Sequence, residues 1–169
     1  MISPNISALN LILSFATALI AHELGHFVAA RLCGVLITEA GLGWGPGLFK
    51  TRLRGVDYKL RILPIGAYIK MDMIMLQRRT LLQQLFVLLA GIMVNLILGT
   101  LAWGTFFGTI NLALALGNLF PIYQQDGWKA GMVISRRVFN RPVPLIEWSF
   151  TIAGGLIALG LAALILSSL

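Results

Sequence analysis

Residues Ile6 to Cys33 read ISALNLILSFATALIAHELGHFVAARLC, and the fold follows from asking what can solvate such a stretch. A helix that crosses roughly 30 Å of hydrocarbon needs about 20 mostly apolar residues. This segment meets that length, yet its last third carries His22, Glu23 and His26. Ionisable groups deep in a spanning helix cost roughly 2.5 kcal/mol or more each unless they are paired or bound. Three of them within one turn and a half therefore mark a site. The segment lacks a basic n-region, so it reads as a retained span and not as a cleavable signal peptide.

The rest of the chain supports a lipid environment. Of 169 residues, 58% are hydrophobic and 11% charged, whereas soluble domains carry about 25% charged residues. A domain this small has too little interior to hide that much apolar surface from water. Leu81 to about Phe106 forms a second predicted span, and Pro144 to about Leu166 another. Between them, Thr109 to Gln124 is apolar but short and broken near its end by Pro121. It reads as a discontinuous helix whose lower end unwinds. The expected fold is a mainly α-helical membrane protein, one domain over 1–169 with about four transmembrane helices.

The net charge of +7 raises nucleic acid as a partner, and its distribution argues against it. Lys50, Arg52, Arg54, Lys59, Arg61, Lys70, Arg78 and Arg79 form one band; Lys129, Arg136, Arg137 and Arg141 form another; Arg31 closes the first span. Such banding is the positive-inside pattern of cytoplasmic loops, and no basic surface is left for a nucleic acid. The bands put both termini outside and a segment at about 127–143 in the cytoplasm. A prokaryotic plasma membrane is the expected location. The single cysteine, Cys33, excludes an internal disulfide.

Residues 34–72 differ from the rest. Gly41 to Phe49 (GLGWGPGLF) is too rich in Gly and Pro for a helix. Tyr58 to Ile62 alternates polar and apolar residues, the period of a strand. Pro64 and Gly66 interrupt, and Tyr68 to Met71 forms another short strand. The region is expected to be a membrane-associated β-hairpin or small sheet between the first and second spans. An open edge cannot face lipid, so protein must cover it or it must line a wet cavity.

His22-Glu23-Leu24-Gly25-His26 is an HExxH sequence. Histidines four apart share a helical face, so both imidazoles can reach one metal ion while the glutamate reaches its water. The ligand type suits zinc, with Glu23 as general base. A catalytic zinc site takes a third protein ligand. Asp126 follows the broken third span and approaches the same side as His22 and His26, so topology favours it. Glu147, at the start of the fourth span, is the alternative. Asp57 and Asp72 lie in basic loops and read as partners of nearby cations.

With these residues in place, the chain resembles the site-2 protease family of intramembrane zinc metalloproteases. HELGH is one mark. Asn118-Leu-Phe-Pro121 followed by Asp126-Gly127 matches the family's Asn-x-x-Pro and Asp-Gly pattern. Gly43-Trp44-Gly45-Pro46 and Ile62 to Met71 resemble its membrane-entering β region, and Ala90 to Asn95 resembles its Ala-Gly-Pro-x-x-Asn signature, with Ile92 in place of Pro. The resemblance implies zinc on His22, His26 and Asp126, Glu23 as base, and a transmembrane segment of another protein as substrate. It implies that the β region, with Gly66 and Tyr68, adds a strand to the unwound substrate. Asn95 and Asn118 are then substrate contacts or hydrogen-bonding glue between helices. Relatives with an inserted PDZ or CBS domain need more chain than is present here, so a minimal form is expected. Two other readings compete: a membrane zinc protease with a glutamate as third ligand, and a metal-binding scaffold without catalysis.

Overall fold

The computed structural model of the protein describes residues 8–167; Ile6 and Ser7 of the expected first span lie outside them. The order is α1 (Ala8–Leu32), β1 (Ile37–Leu53), β2 (Val56–Met71), α2 (Met73–Gln77), α3 (Leu81–Leu101), α4 (Phe106–Leu119), α5 (Asp126–Val138) and α6 (Pro144–Ser167). The protein is mostly helical, with one antiparallel hairpin of β1 and β2 between α1 and α3.

Within the described residues, Leu9–Leu32 and Leu81–Leu101 are long and apolar enough to cross a membrane. Their outward faces stay apolar: Leu9, Leu13, Leu24, Ile97 and Leu101 are all exposed. In water such surfaces would have to be covered. The second predicted span stops earlier than expected, at Leu101, because Gly104 at φ 79° turns the chain and Thr105 starts a new helix by accepting the Gly108 N–H. The third predicted span is correspondingly the 14 residues of α4, from Phe106 to Leu119. It ends there because Phe120, held in an extended conformation before Pro121, cannot continue a helix. At about 1.5 Å per residue α4 rises only about 21 Å.

Two local signals set the entry of α3. Thr80 accepts the Gln83 N–H and donates its own backbone N–H to the Gln83 side chain, a reciprocal cap. Small residues then let α3 lie close to α1. A Cβ added at Gly25 would come within 2.8 Å of both the Ala90 carbonyl oxygen and Val94 Cγ2. The buried core gathers where the end of α1 meets the hairpin and the start of α3, with Ala29, Ala30, Val35, Ile37, Val56, Leu76, Val87 and Leu88.

The hairpin is more continuous than the sequence suggests. Pro64 and Gly66 do not end a strand; β2 runs through them from Val56 to Met71, and β1 includes the whole glycine-rich stretch. Both strands bend instead. Gly43 sits at φ 92° against the Leu63 carbonyl, and Gly66 sits at φ 96° beside the Trp44 ring. These positions favour glycine because a Cβ strains a positive φ. The bend folds the hairpin onto itself: Glu39, Ala40, Gly41 and Leu42 pair with Lys70, Ile69, Tyr68 and Ala67 on one side and with Asp57, Tyr58, Lys59 and Leu60 on the other. Ala67 to Met71 therefore has a strand partner on one side only, and its other edge faces α1.

The segment expected as a cytoplasmic stretch at 127–143 is mainly a helix. α5 is amphipathic, burying Ala130 and Met132 while Arg136 and Arg137 lie in its last turn, where cations suit the helix dipole.

Candidate metal centre

The sequence separates His22 and His26 from Asp126 by 100 residues or more; the fold closes that gap. His22 Nε2 lies 2.9 Å from Asp126 Oδ2, His26 Nε2 lies 3.0 Å from the same oxygen, and the two Nε2 atoms are 3.1 Å apart. All three side chains are buried, at 4%, 5% and 7% exposure. Two nitrogens and a carboxylate oxygen arranged as a triangle form a group that could hold a metal ion. Tetrahedral ligands at about 2.0–2.1 Å from zinc sit about 3.3–3.4 Å apart, so the observed separations need only a small expansion.

Neighbouring groups orient each ligand. His26 Nδ1 lies 2.7 Å from the Val87 carbonyl. A carbonyl can only accept, so the proton is on Nδ1 and the lone pair on Nε2 faces the centre. His22 Nδ1 faces the Asn95 side chain. The second oxygen of Asp126 accepts from Lys129 Nζ at 3.0 Å, which leaves Oδ2 to point inward. Gly91 explains how α3 can pass so near: a Cβ there would stand 2.5 Å from His26 Nε2 and 2.6 Å from His22 Nε2. Gly127 does the same beside Asp126, where a side chain would run into the Leu119 carbonyl at the end of α4.

Glu23 is partly buried next to this triangle. Its Oε2 accepts the Ile69 N–H at 3.1 Å, the contact that ties the free edge of β2 to α1. Glu23, His26, Asp126, Tyr68 and Lys129 line one cavity of about 470 Å³. A second, largely apolar cavity of about 440 Å³ runs from Glu23 between α1 and the hairpin.

The remaining acids are engaged elsewhere. Glu39 accepts from Lys59 Nζ at 2.7 Å and from the Tyr68 hydroxyl at 2.5 Å. The Lys59 ammonium and then that hydroxyl hold its carboxyl at about 2, below its ordinary 4.5. Glu147 is gripped by Arg136 at 2.7 and 2.9 Å, Asp57 pairs with Lys50 at 3.0 Å, and Asp72 caps α2. Neither Glu39 nor Glu147 thus joins the histidines. Of the other expected site residues, Tyr68 lines both cavities. Gly66 is at the hairpin bend, and Asn118 bonds to Leu114 within its own helix. Asn95 has no exposed surface at all.

Sequence reasoning missed Val87, Lys129 and the Ile69 amide, and it held Gly91 only as part of the Ala90 to Asn95 signature, without its steric role beside the imidazoles. Lys129 had a usable signal, since residues three apart on a helix are neighbours. The backbone groups had none.

The chain is similar to proteins that are already known. The chain is 34% identical over 114 residues to an inferred zinc metalloprotease of Clostridium perfringens, covering 63% of this chain and 32% of that protein. It is 35% identical over 104 residues to another from Synechocystis, covering 54% and 28%. It is also 40% identical over 60 residues to zinc metalloprotease RasP of Bacillus licheniformis, covering 36% and 14%. The chain spans about a third or less of the length of these relatives. The match to the description "Peptidase family M50" extends over residues 10–108, from the helix that carries both histidines to the start of α4, and the chain accordingly belongs to that family, the family of the site-2 proteases.

Proposed function

We propose that the protein is a zinc endopeptidase that cuts a peptide bond in or near a transmembrane segment of another membrane protein. The observation that carries this reading is the convergence of His22, His26 and Asp126 beside Glu23, with both histidines and Glu23 on a helix long and apolar enough to cross a membrane. Zinc is the metal that two neutral imidazoles and one carboxylate suit, and the names of the relatives point the same way. Held there, it supplies a Lewis acid that polarises a carbonyl and acidifies water.

Glu23 handles the protons. With Oε2 fixed by the Ile69 amide, its other oxygen is free to take a proton from the attacking water. The water oxygen bonds to the scissile carbonyl carbon, the C–N bond breaks, and Glu23 passes the proton to the departing amine. The one-sided edge at Ala67 to Met71, joined to Glu23 through Ile69, offers backbone groups to an unwound substrate as an added strand. Gly66 and Tyr68 belong to this docking region. Asn118, one residue before the end of α4, is a further candidate contact. Substrate segment and lipid are the partners of this reading.

Four spans follow from the charge bands, with α4 as a short, broken third span and α6 as the fourth. The site then opens toward the cytoplasm, both termini are external, and the membrane is a prokaryotic plasma membrane.

The test has two parts. Metal content of the protein in detergent is expected to be about one zinc per chain in wild type and Glu147→Ala, with strong loss in His26→Ala and Asp126→Ala. Glu23→Gln is expected to keep the zinc and lose at least about a hundredfold in cleavage of an unfolded membrane segment. Wild-type cleavage by that variant would end the mechanism.

A further inference from the structure

The two imidazoles are oriented by different kinds of partner. His26 has the Val87 carbonyl, which accepts and does nothing else. His22 has the amide of Asn95, whose Nδ2 lies 3.3 Å from His22 Nδ1. Asn95 is completely buried on α3, and its other amide atom, Oδ1, has no hydrogen-bond partner. A buried amide oxygen left unpaired costs about 1–3 kcal/mol, so its placement calls for a reason.

We infer that Asn95 is a positioning residue of the metal centre: it sets the tautomer of His22, and it does not touch substrate. The inference rests on the metal reading above. An imidazole that offers Nε2 to a metal must carry its proton on Nδ1. That proton needs an acceptor, and in the described structure only Asn95 faces Nδ1 closely enough to supply one. Half a turn of the amide about its last side-chain bond exchanges Oδ1 and Nδ2, which are interchangeable in shape. Oδ1 then accepts from His22 Nδ1–H, and the lone pair of Nε2 is directed toward Asp126 and His26. In the other orientation Nδ2 donates to a bare Nδ1, and the proton sits on Nε2, where no metal can bind. An amide serves both tautomers, whereas a carbonyl serves one. Outer partners of this kind change metal affinity by roughly 10–100-fold when lost.

The same surroundings provide a control. Asn111 on α4 is equally buried, and it too leaves Oδ1 unpaired, but its Nδ2 donates to the Phe107 carbonyl of its own helix. It holds no imidazole.

The experiment measures zinc affinity of the whole chain in detergent by competition with a chelator, for wild type, Asn95→Leu, Asn95→Ala, Asn95→Asp and Asn111→Leu. Asn95→Leu and Asn95→Ala are expected to bind roughly 10–100-fold more weakly, while Asn95→Asp, an acceptor of the same size, stays within about threefold of wild type. Asn111→Leu is expected to match wild type. Rescue by aspartate is the decisive readout, because a purely packing role would favour leucine over a buried carboxylate. Unchanged affinity in Asn95→Leu, or in Asn95→Ala where leucine prevents folding, overturns the assignment, as does an Asn95→Asp variant as weak as Asn95→Leu. A wild-type protein that takes up no zinc overturns the metal reading itself, and with it the role of Asn95.

Discussion

At Gly91 the fold accepts no side chain, since a single added carbon would press on both imidazole Nε2 atoms at once. Gly25, one turn along the facing helix, is equally crowded, but by the Ala90 carbonyl and Val94. The two positions separate packing from chemistry. Gly91→Ala and Gly25→Ala should each cost about 1–3 kcal/mol of stability as an overpacked contact. Only Gly91→Ala should also lower zinc affinity in the fraction that stays folded, by tenfold or more on the scale of a displaced ligand. Thermal melts paired with zinc titrations check both, and equal zinc binding by the two folded variants would show that Gly91 merely packs. The same contrast explains what could be read from residues alone. HELGH announces itself because a period of four is a property of one helix. Asp126 could be reached by following the chain through the membrane. Val87 acts through its backbone, so no letter advertises its part, whereas Gly91 was marked by the Ala90 to Asn95 signature but acts by lacking an atom, a reason only the fold supplies.

At the scale of elements, the strand alternation around Tyr58 to Ile62 was legible, and the continuity of the hairpin was not. Proline and glycine usually stop a strand, yet here Gly43 and Gly66 bend it, and the bend is fixed only by pairing with residues far along the chain. α5 was hidden for a related reason: its basic residues match a cytoplasmic loop as well as the wet face of a helix. The hairpin's ionic contact has a pH signature. Glu39 is held at about 2 against an ordinary 4.5, so its contribution to hairpin stability is complete above about 4.5 and vanishes as pH falls through about 2. The protection of β2 amides, measured as exchange relative to the intrinsic rate at each pH, should fall as the pH is lowered through that window in wild type. In Glu39→Gln the acid-induced change should be smaller, and exchange should already be faster at neutral pH. Identical pH profiles in the two proteins would remove Glu39 from the account.

For the whole molecule, apolar length marked three spans in the sequence, of which Leu9–Leu32 and Leu81–Leu101 are long and apolar enough among the described residues, and only the short α4 needed charge to place it. A labelling experiment tests the four-span arrangement. In a Cys33→Ala background, a cysteine at Trp103, which is exposed between α3 and α4, should react with an impermeant maleimide added outside intact cells. A cysteine at Arg137 on α5 should react only after the membrane is opened. Reaction of both from the same side would refute the arrangement. The split of the ligand set between α1 and the first residue of α5 has a further consequence during synthesis. Both histidines leave the ribosome a hundred residues before the carboxylate, and Gly127 must seat against the end of α4 before Asp126 can reach them. A nascent chain therefore holds only two of the three candidate ligands until α5 emerges, so under the proposed function it stays harmless to its neighbours at the insertion machinery until then.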